Sequence, residues 1–192
     1  MEKGLNVAAR ECVMERFIVS VILLTLASSA QAKAYFELGV EGGGDNLIST
    51  SSGAGIKVGG GFKIALGVQR KVGENGKSLS LSLGCLFDEF VASNGIAEIS
   101  TPTLDAIYSI HRGDHRFGIG ASYHVGPTYK DDIAGFSPLK IEFEDAMGLI
   151  LQYSYVGSLG LQGGFRFTQM DYEVNGISLD ADSFGIFLSN GF

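Results

Sequence analysis

Phe184-Gly-Ile-Phe-Leu-Ser-Asn-Gly-Phe192 is the stretch on which the fold turns. Phe184, Ile186, Leu188 and Phe192 share one face at the two-residue period of a β-strand. Chain ends usually fray into water, and a large aromatic there is out of place unless something apolar covers it. One face of this strand therefore expects a hydrophobic neighbour.

The same contrast recurs upstream. Ile56, Val58, Gly60, Phe62, Ile64, Leu66 and Val68 alternate with Lys57, Gly59, Gly61, Lys63, Ala65 and Gly67. Phe36, Leu38 and Val40 oppose Glu37, Gly39 and Glu41; Leu79, Leu81, Leu83 and Cys85 oppose Ser78, Ser80, Ser82 and Gly84. Further runs lie near 104–111, where Ile107 breaks the alternation, and near 117–125, 143–155 and 159–168. With 184–192 they predict eight strands, and no window beyond residue 32 shows helical periodicity. Short turns fall at 73–77, 112–115 and 156–158, and Asn75-Gly76 is a good hairpin signal. Longer polar connections fall near 45–55, 89–100, 127–140 and 171–180.

Alternation alone does not say which face is wet. In a soluble barrel or sandwich the bulky residues point inward and charged ones coat the outside. Here the opposite face is mostly Gly and Ser, too small and too poorly charged for a solvent coat. Gly makes up 28 of 192 residues, roughly twice the usual share. An inverted arrangement, with bulky groups in lipid and small or ionic groups enclosed, accounts for the pattern. A sheet crosses hydrocarbon only when closed, because an unpaired backbone group there costs several kcal/mol. Eight strands leave an interior just wide enough for side chains to fill.

These features resemble the small bacterial outer-membrane β-barrel superfamily, the group with OmpA-like and OmpX-like eight-stranded domains. The resemblance rests on the strand pattern, on an export signal made of Arg16, the apolar run at 17–26 and Ala30-Gln31-Ala32, and on the closing strand ending in Phe192. It implies an all-β, eight-stranded antiparallel up-and-down transmembrane barrel in a Gram-negative outer membrane, with both termini periplasmic and the long loops outside. It further implies that Phe184, Ile186, Leu188 and Phe192 form the signal read by the barrel assembly machinery. The other partners implied are periplasmic chaperones during biogenesis, then outer-membrane lipids and lipopolysaccharide, with the protein a monomer.

The front of the chain fits export. Arg16 precedes an apolar run at 17–26, and Ala30-Gln31-Ala32 forms an A-x-A cleavage site before Lys33. The run is too short for a spanning helix, which needs about 20 apolar residues. Residues 1–32 read as a signal peptide, with Met14 an alternative start, and 33–192 as the barrel. Cys12 falls in the leader and leaves Cys85 alone, so no internal disulfide forms in the mature chain. The formal charge of −7 with no basic cluster argues against nucleic acid as a partner.

The enclosed face carries Glu37, Glu41, Lys57, Lys63, Asp105, His111, His124, Glu144, Gln152, Gln162 and Arg166. Mixed charges in a narrow lumen pair, since an isolated buried charge is costly. Glu37, Lys63, Glu144 and Arg166 are the expected centre of that cluster. The favoured role is a filled barrel with a structural or surface-interaction task; the alternative is a narrow OmpW-like channel for small or hydrophobic solutes. A third reading, a lipid A-modifying enzyme, is weak: His124 lacks the His-x-Ser arrangement of the deacylases, being followed by Val125 and Gly126. No catalytic residue, metal ligand or cofactor is expected. Arg112-Gly113-Asp114 spells an integrin-type tripeptide but falls in a short turn on the periplasmic side. Acidic residues gather at the long-loop end, and Lys33, Arg70, Lys71, Lys77, Arg112 and Arg116 at the short-turn end.

Overall fold

The computed structural model describes residues 32–49, 55–73, 76–92, 95–134 and 137–191. The leader read at 1–31, with Met14, and the terminal Phe192 lie outside the described residues. In chain order the strands are β1 (Ala32–Gly42), β2 (Asn46–Ser49), β3 (Gly55–Lys57), β4 (Gly61–Lys71), β5 (Lys77–Ala92), β6 (Gly95–Arg112) and β7 (His115–His124). There follow β8 (Thr128–Ile133), β9 (Leu139–Glu142), β10 (Ala146–Val156), β11 (Leu161–Gln169), β12 (Asp171–Val174), β13 (Ile177–Asp180) and β14 (Ser183–Gly191). No helix occurs among the described residues.

Eight of these strands make the wall, in the order β5-β4-β1-β14-β11-β10-β7-β6, and β6 pairs back to β5 to close it. All pairings are antiparallel. The seam joins the first and last strands, with Leu38 opposite Leu188 and Tyr35 opposite Gly191. Closure gives every wall strand two neighbours, so no backbone edge faces outward at mid-height.

The faces are inverted relative to a soluble barrel. On β4, Lys63 and Ala65 point inward and are 3 % and 2 % exposed, whereas Ile64 and Leu66 point outward at 39 % and 53 %. On β14, Ser183, Gly185, Phe187 and Ser189 face the interior, and Phe184, Ile186 and Leu188 the exterior. Val40, Ile119, Leu149 and Phe165 extend this apolar exterior around the wall. Ile107, the irregularity in its run, packs inside.

At the long-loop end the inversion reverses. Along β6 the inward row reads Ser109, Ile107, Asp105, Thr103, Thr101, then Ile99 and Ala97. The outward row passes from Ile110 and Leu104 to Ser100 and Glu98. Beyond Thr101 the inward positions are therefore apolar, while the outward row mixes Ser100 and Glu98 with the exposed Ile96. There the hairpins β2–β3, β8–β9 and β12–β13 enclose a second core of Ile56, Val58, Ala97, Ile99, Tyr129, Phe143, Ala146, Met170, Tyr172 and Ala181.

This corrects the reading of two runs. Ile56 and Val58 are fully buried in the loop-end core and do not belong to the outer face of β4; Lys57 is exposed and outside the lumen. The break falls at Gly59–Gly61. A Cβ on Gly59 would lie 2.4 Å from the Ala181 carbonyl oxygen, and Gly61 has φ +139°. Phe143 likewise packs in the loop-end core, because β10 begins only at Ala146. The long connections predicted as polar loops are hairpins with apolar inner faces.

The register gives a direct test. Ile64→Arg puts a charge on the apolar exterior and is expected to cost about 2–4 kcal/mol in a bilayer refolding titration. Ala65→Ser, facing the lumen one residue on, is expected to cost far less; equal costs would mean the faces are misassigned.

Candidate functional site

The lumen is enclosed by the wall, and five charged side chains meet at its middle. Glu37 and Glu41 come from β1, Lys63 from β4, Asp105 from β6 and Arg166 from β11. Each side chain is more than nine-tenths buried. Lys63 Nζ lies 2.7 Å from Asp105 Oδ2 and 3.8 Å from Glu41 Oε1. Arg166 Nη1 lies 2.8 Å from Glu37 Oε1, and Arg166 Nη2 donates to Glu37 Oε2 at 3.0 Å. The same guanidinium stands 3.5 Å from Asp105 Oδ2 and donates through Nε and Nη2 to Gln152 Oε1. Its Cζ sits 5.2 Å from the centre of the inward Phe187 ring.

Neutral groups complete the set. Ser122 donates to Asp105 Oδ1 at 2.6 Å, and Ser183 to Glu41 Oε2 at 2.9 Å. Through these contacts the cluster touches every wall strand except β5. Removing such charges from water costs several kcal/mol per ion before pairing returns it. The arrangement is therefore coherent only as a unit, with each carboxylate beside a cation.

Two further layers flank it. Toward the short turns, Arg116 donates to Gln162 Oε1 at 2.7 Å and to Gln69 Oε1 at 3.2 Å. Gln162 in turn donates to Ser154, Gln69 to Ser78 and Ser80, and Ser78 bonds His111. A cavity of about 290 Å³ opens at this end and is lined in part by Tyr35, Glu37, Gln69, Arg116, Gln152 and Gln162. Toward the long loops, His124 Nδ1 bonds the Tyr172 hydroxyl at 2.5 Å, and the Tyr172 ring packs on His124 and Phe143. The loop-end core thus sits on the lumen as a stopper.

Of the four residues expected to form the central cluster, the structure brings Glu37, Lys63 and Arg166 together. Glu144 is elsewhere: it is exposed in the segment before β10, where its backbone N–H bonds the Glu173 carbonyl. The shift follows from the late start of β10. Asp105, which contacts both cations, takes the central place. Its signal in sequence is a lone charge in the otherwise neutral inward row from Thr101 to Ser109. Tyr172 carried no signal, lying in a segment read as a polar loop. Phe184, Ile186 and Leu188 lie together on the outer face of β14; Phe192, the remaining residue of that expected assembly signal, lies outside the described residues.

The Ser122 hydroxyl is committed to Asp105, and His124 to Tyr172.

Two outcomes follow. Arg166→Gln leaves Glu37 and Asp105 without this counter-charge and is expected to cost about 3–5 kcal/mol in urea unfolding from vesicles. Adding Glu37→Gln should return part of that loss; a single-mutant cost near zero would show that the cluster bears no strain. The stopper has its own signature at high pH. Burial, then the neighbouring Asp131 carboxylate, pushes the Tyr129 phenol up to about 12, and burial raises that of Tyr172 as well. A phenol that holds its proton more tightly when folded stabilises the fold below its unfolded value near 10. That contribution is lost as pH climbs from there toward 12. Proteolysis of the loop end should therefore rise steeply over that window and shift to higher pH in Tyr129→Phe.

No protein-family model matches the chain, and no curated protein does. Solved structures do resemble it. Neisserial surface protein A (NspA) superposes with a TM-score of 0.54 at 11 % identity, covering 84 % of this chain and 97 % of that one. Ail, the attachment invasion locus protein of Yersinia pestis, gives 0.52 at 6 % identity in its complex with the heparin analogue sucrose octasulfate. Ail alone gives 0.50 at 9 % identity, and both Ail structures cover 84 % of this chain and 98 % of theirs. At these identities the likeness is one of architecture: the chain has the fold of the small eight-stranded outer-membrane β-barrels.

Proposed function

We propose that this is an integral protein of a Gram-negative outer membrane whose task is structural or surface-interacting rather than transport. One observation carries the reading: a closed wall with an apolar exterior surrounds a lumen filled by paired charges and stoppered by the loop-end core. Left in water, such an exterior would forgo roughly 25 cal/mol for each Å² of apolar surface. Hydrocarbon removes that cost. In this reading the short turns and both termini are periplasmic and the loop-end hairpins stand at the cell surface.

The surface they present is acidic. Asp45, Glu89, Asp132, Glu142, Glu144, Asp171, Glu173 and Asp180 are exposed there, against Lys57 and Lys140. Ail was solved with a sulfated heparin analogue; a face of this charge repels polyanions and suits basic or neutral partners. The cavity at the turn end is what favours the second reading, a narrow channel. It ends, however, against Glu37 and Gln152, both bonded to Arg166.

The mature protein is expected to fractionate with outer membranes and to migrate faster on unheated gels than after boiling. Refolded protein is expected to give no discrete conductance steps in planar bilayers and no retention on heparin at physiological salt. Discrete steps from the unaltered protein would replace this reading with the channel.

A further inference from the structure

The wall carries one outward defect at the turn end. Along one hydrogen-bonded row across β6, β7, β10, β11 and β14, which slants down the tilted wall to the turn end at Arg112, the paired residues are Arg112, His115, Tyr155, Gly163 and Leu188. Gly163 leaves a gap in that row, and over it lies a groove of about 320 Å³ lined by Tyr155, Leu159, Leu161 and Gly163. Leu159, on the turn between β10 and β11, is 91 % exposed, the most exposed large apolar side chain among the described residues. His115 closes the other side of Tyr155: its ring lies edge-on to Tyr155 at 5.5 Å, and its Nδ1 bonds the Tyr153 hydroxyl.

We propose that this groove is a phospholipid site, holding one acyl chain over Gly163 with the phosphate resting above Tyr155 and His115 within reach of Arg112. Two observations choose this occupant. The groove is continuous with the apolar exterior through Leu161, Phe165 and Leu188, so it opens onto the bilayer. The rim at this end is net cationic, with Lys33, Arg70, Lys71 and Arg112 exposed against the exposed Asp114, which suits a phosphate. Neighbouring strands lie about 5 Å apart, so Arg112, three strands from Gly163 along the slanting row, stands about 15 Å away and nearer the turns, where the headgroup of a lipid with its chain in the gap lies. The inference rests on the membrane reading above and names the leaflet at the turn end, hence a phospholipid rather than lipopolysaccharide.

Gly163 makes the test clean. Its φ lies outside the left-handed region, and a Cβ would meet only the tip of Leu188 at 3.1 Å and the Phe187 carbonyl at 3.8 Å. Gly163→Val thus fills the groove at little cost to the wall. The full mature chain, refolded in detergent, would be titrated with dioleoyl phosphatidylglycerol and read by native mass spectrometry, beside Arg112→Gln and the distant exterior control Ile119→Ala. Wild type and Ile119→Ala are expected to retain one phospholipid after the detergent is stripped. Gly163→Val should weaken retention about tenfold, the loss of roughly two methylenes of contact, with Arg112→Gln also weaker. Equal retention by all variants, or equal retention of lipid A, would overturn the site and leave the membrane reading standing. A protein that neither enters bilayers nor carries any lipid would overturn both.

Discussion

Backbone amides surrounded by hydrocarbon have only each other to bond, and the rest of this structure answers to that constraint. It requires a closed sheet, and closure requires that β1 find β14 across the whole length of the chain. A closed eight-stranded wall has room inside for side chains but little else. The inward positions must then be small, or charged in pairs, and the Ser, Gly and Thr rows of β5, β6 and β14 meet the first demand. The cluster around Asp105 meets the second. Through Lys63–Asp105, Arg166–Glu37 and Arg166–Asp105 it ties wall strands that share no hydrogen-bond ladder, so it holds the cross-section as well as balancing charge.

The molecule has two interiors of opposite character on one axis. At mid-height the centre is ionic and the surface greasy. Above Thr101 the centre is greasy, built from Tyr172, Phe143, Ile56 and their neighbours, while Glu98 and other carboxylates face out. His124 and Tyr172 join the two, one from the wall and one from the β12–β13 hairpin. The loop end is thus a small packed unit seated on the lumen. The exposed side of that unit is acidic.

The wall was legible because a period of two is a local property, repeated in eight runs and bounded by turn residues at 73–77, 112–115 and 156–158. The inside-out assignment was legible because Gly and Ser make a poor solvent coat. What the pattern does not reveal is that the inward face changes from small and ionic to apolar beyond Thr101. Ile56 and Val58 continue the alternation of Ile64 and Leu66 without interruption, yet face an interior, since periodicity records contrast and not which side is wet. Glu144 reads as a lumen residue by the same effect, because the run counted from Phe143 starts before the strand does: Glu144 lies two residues ahead of Ala146, where β10 begins. Asp105 was visible as an inward residue, but its central place depends on how far Lys63 and Arg166 reach along a tilted wall, which a single sequence does not encode.

The seam between Tyr35 and Gly191 places the two ends of the barrel side by side. The first strand made must therefore wait, one flank unbonded, until the last has been delivered. Throughout that interval β1 offers an unpaired edge that any passing extended segment could occupy. Completion is all-or-none: a chain cut short before residue 183 retains a sheet but never a cylinder.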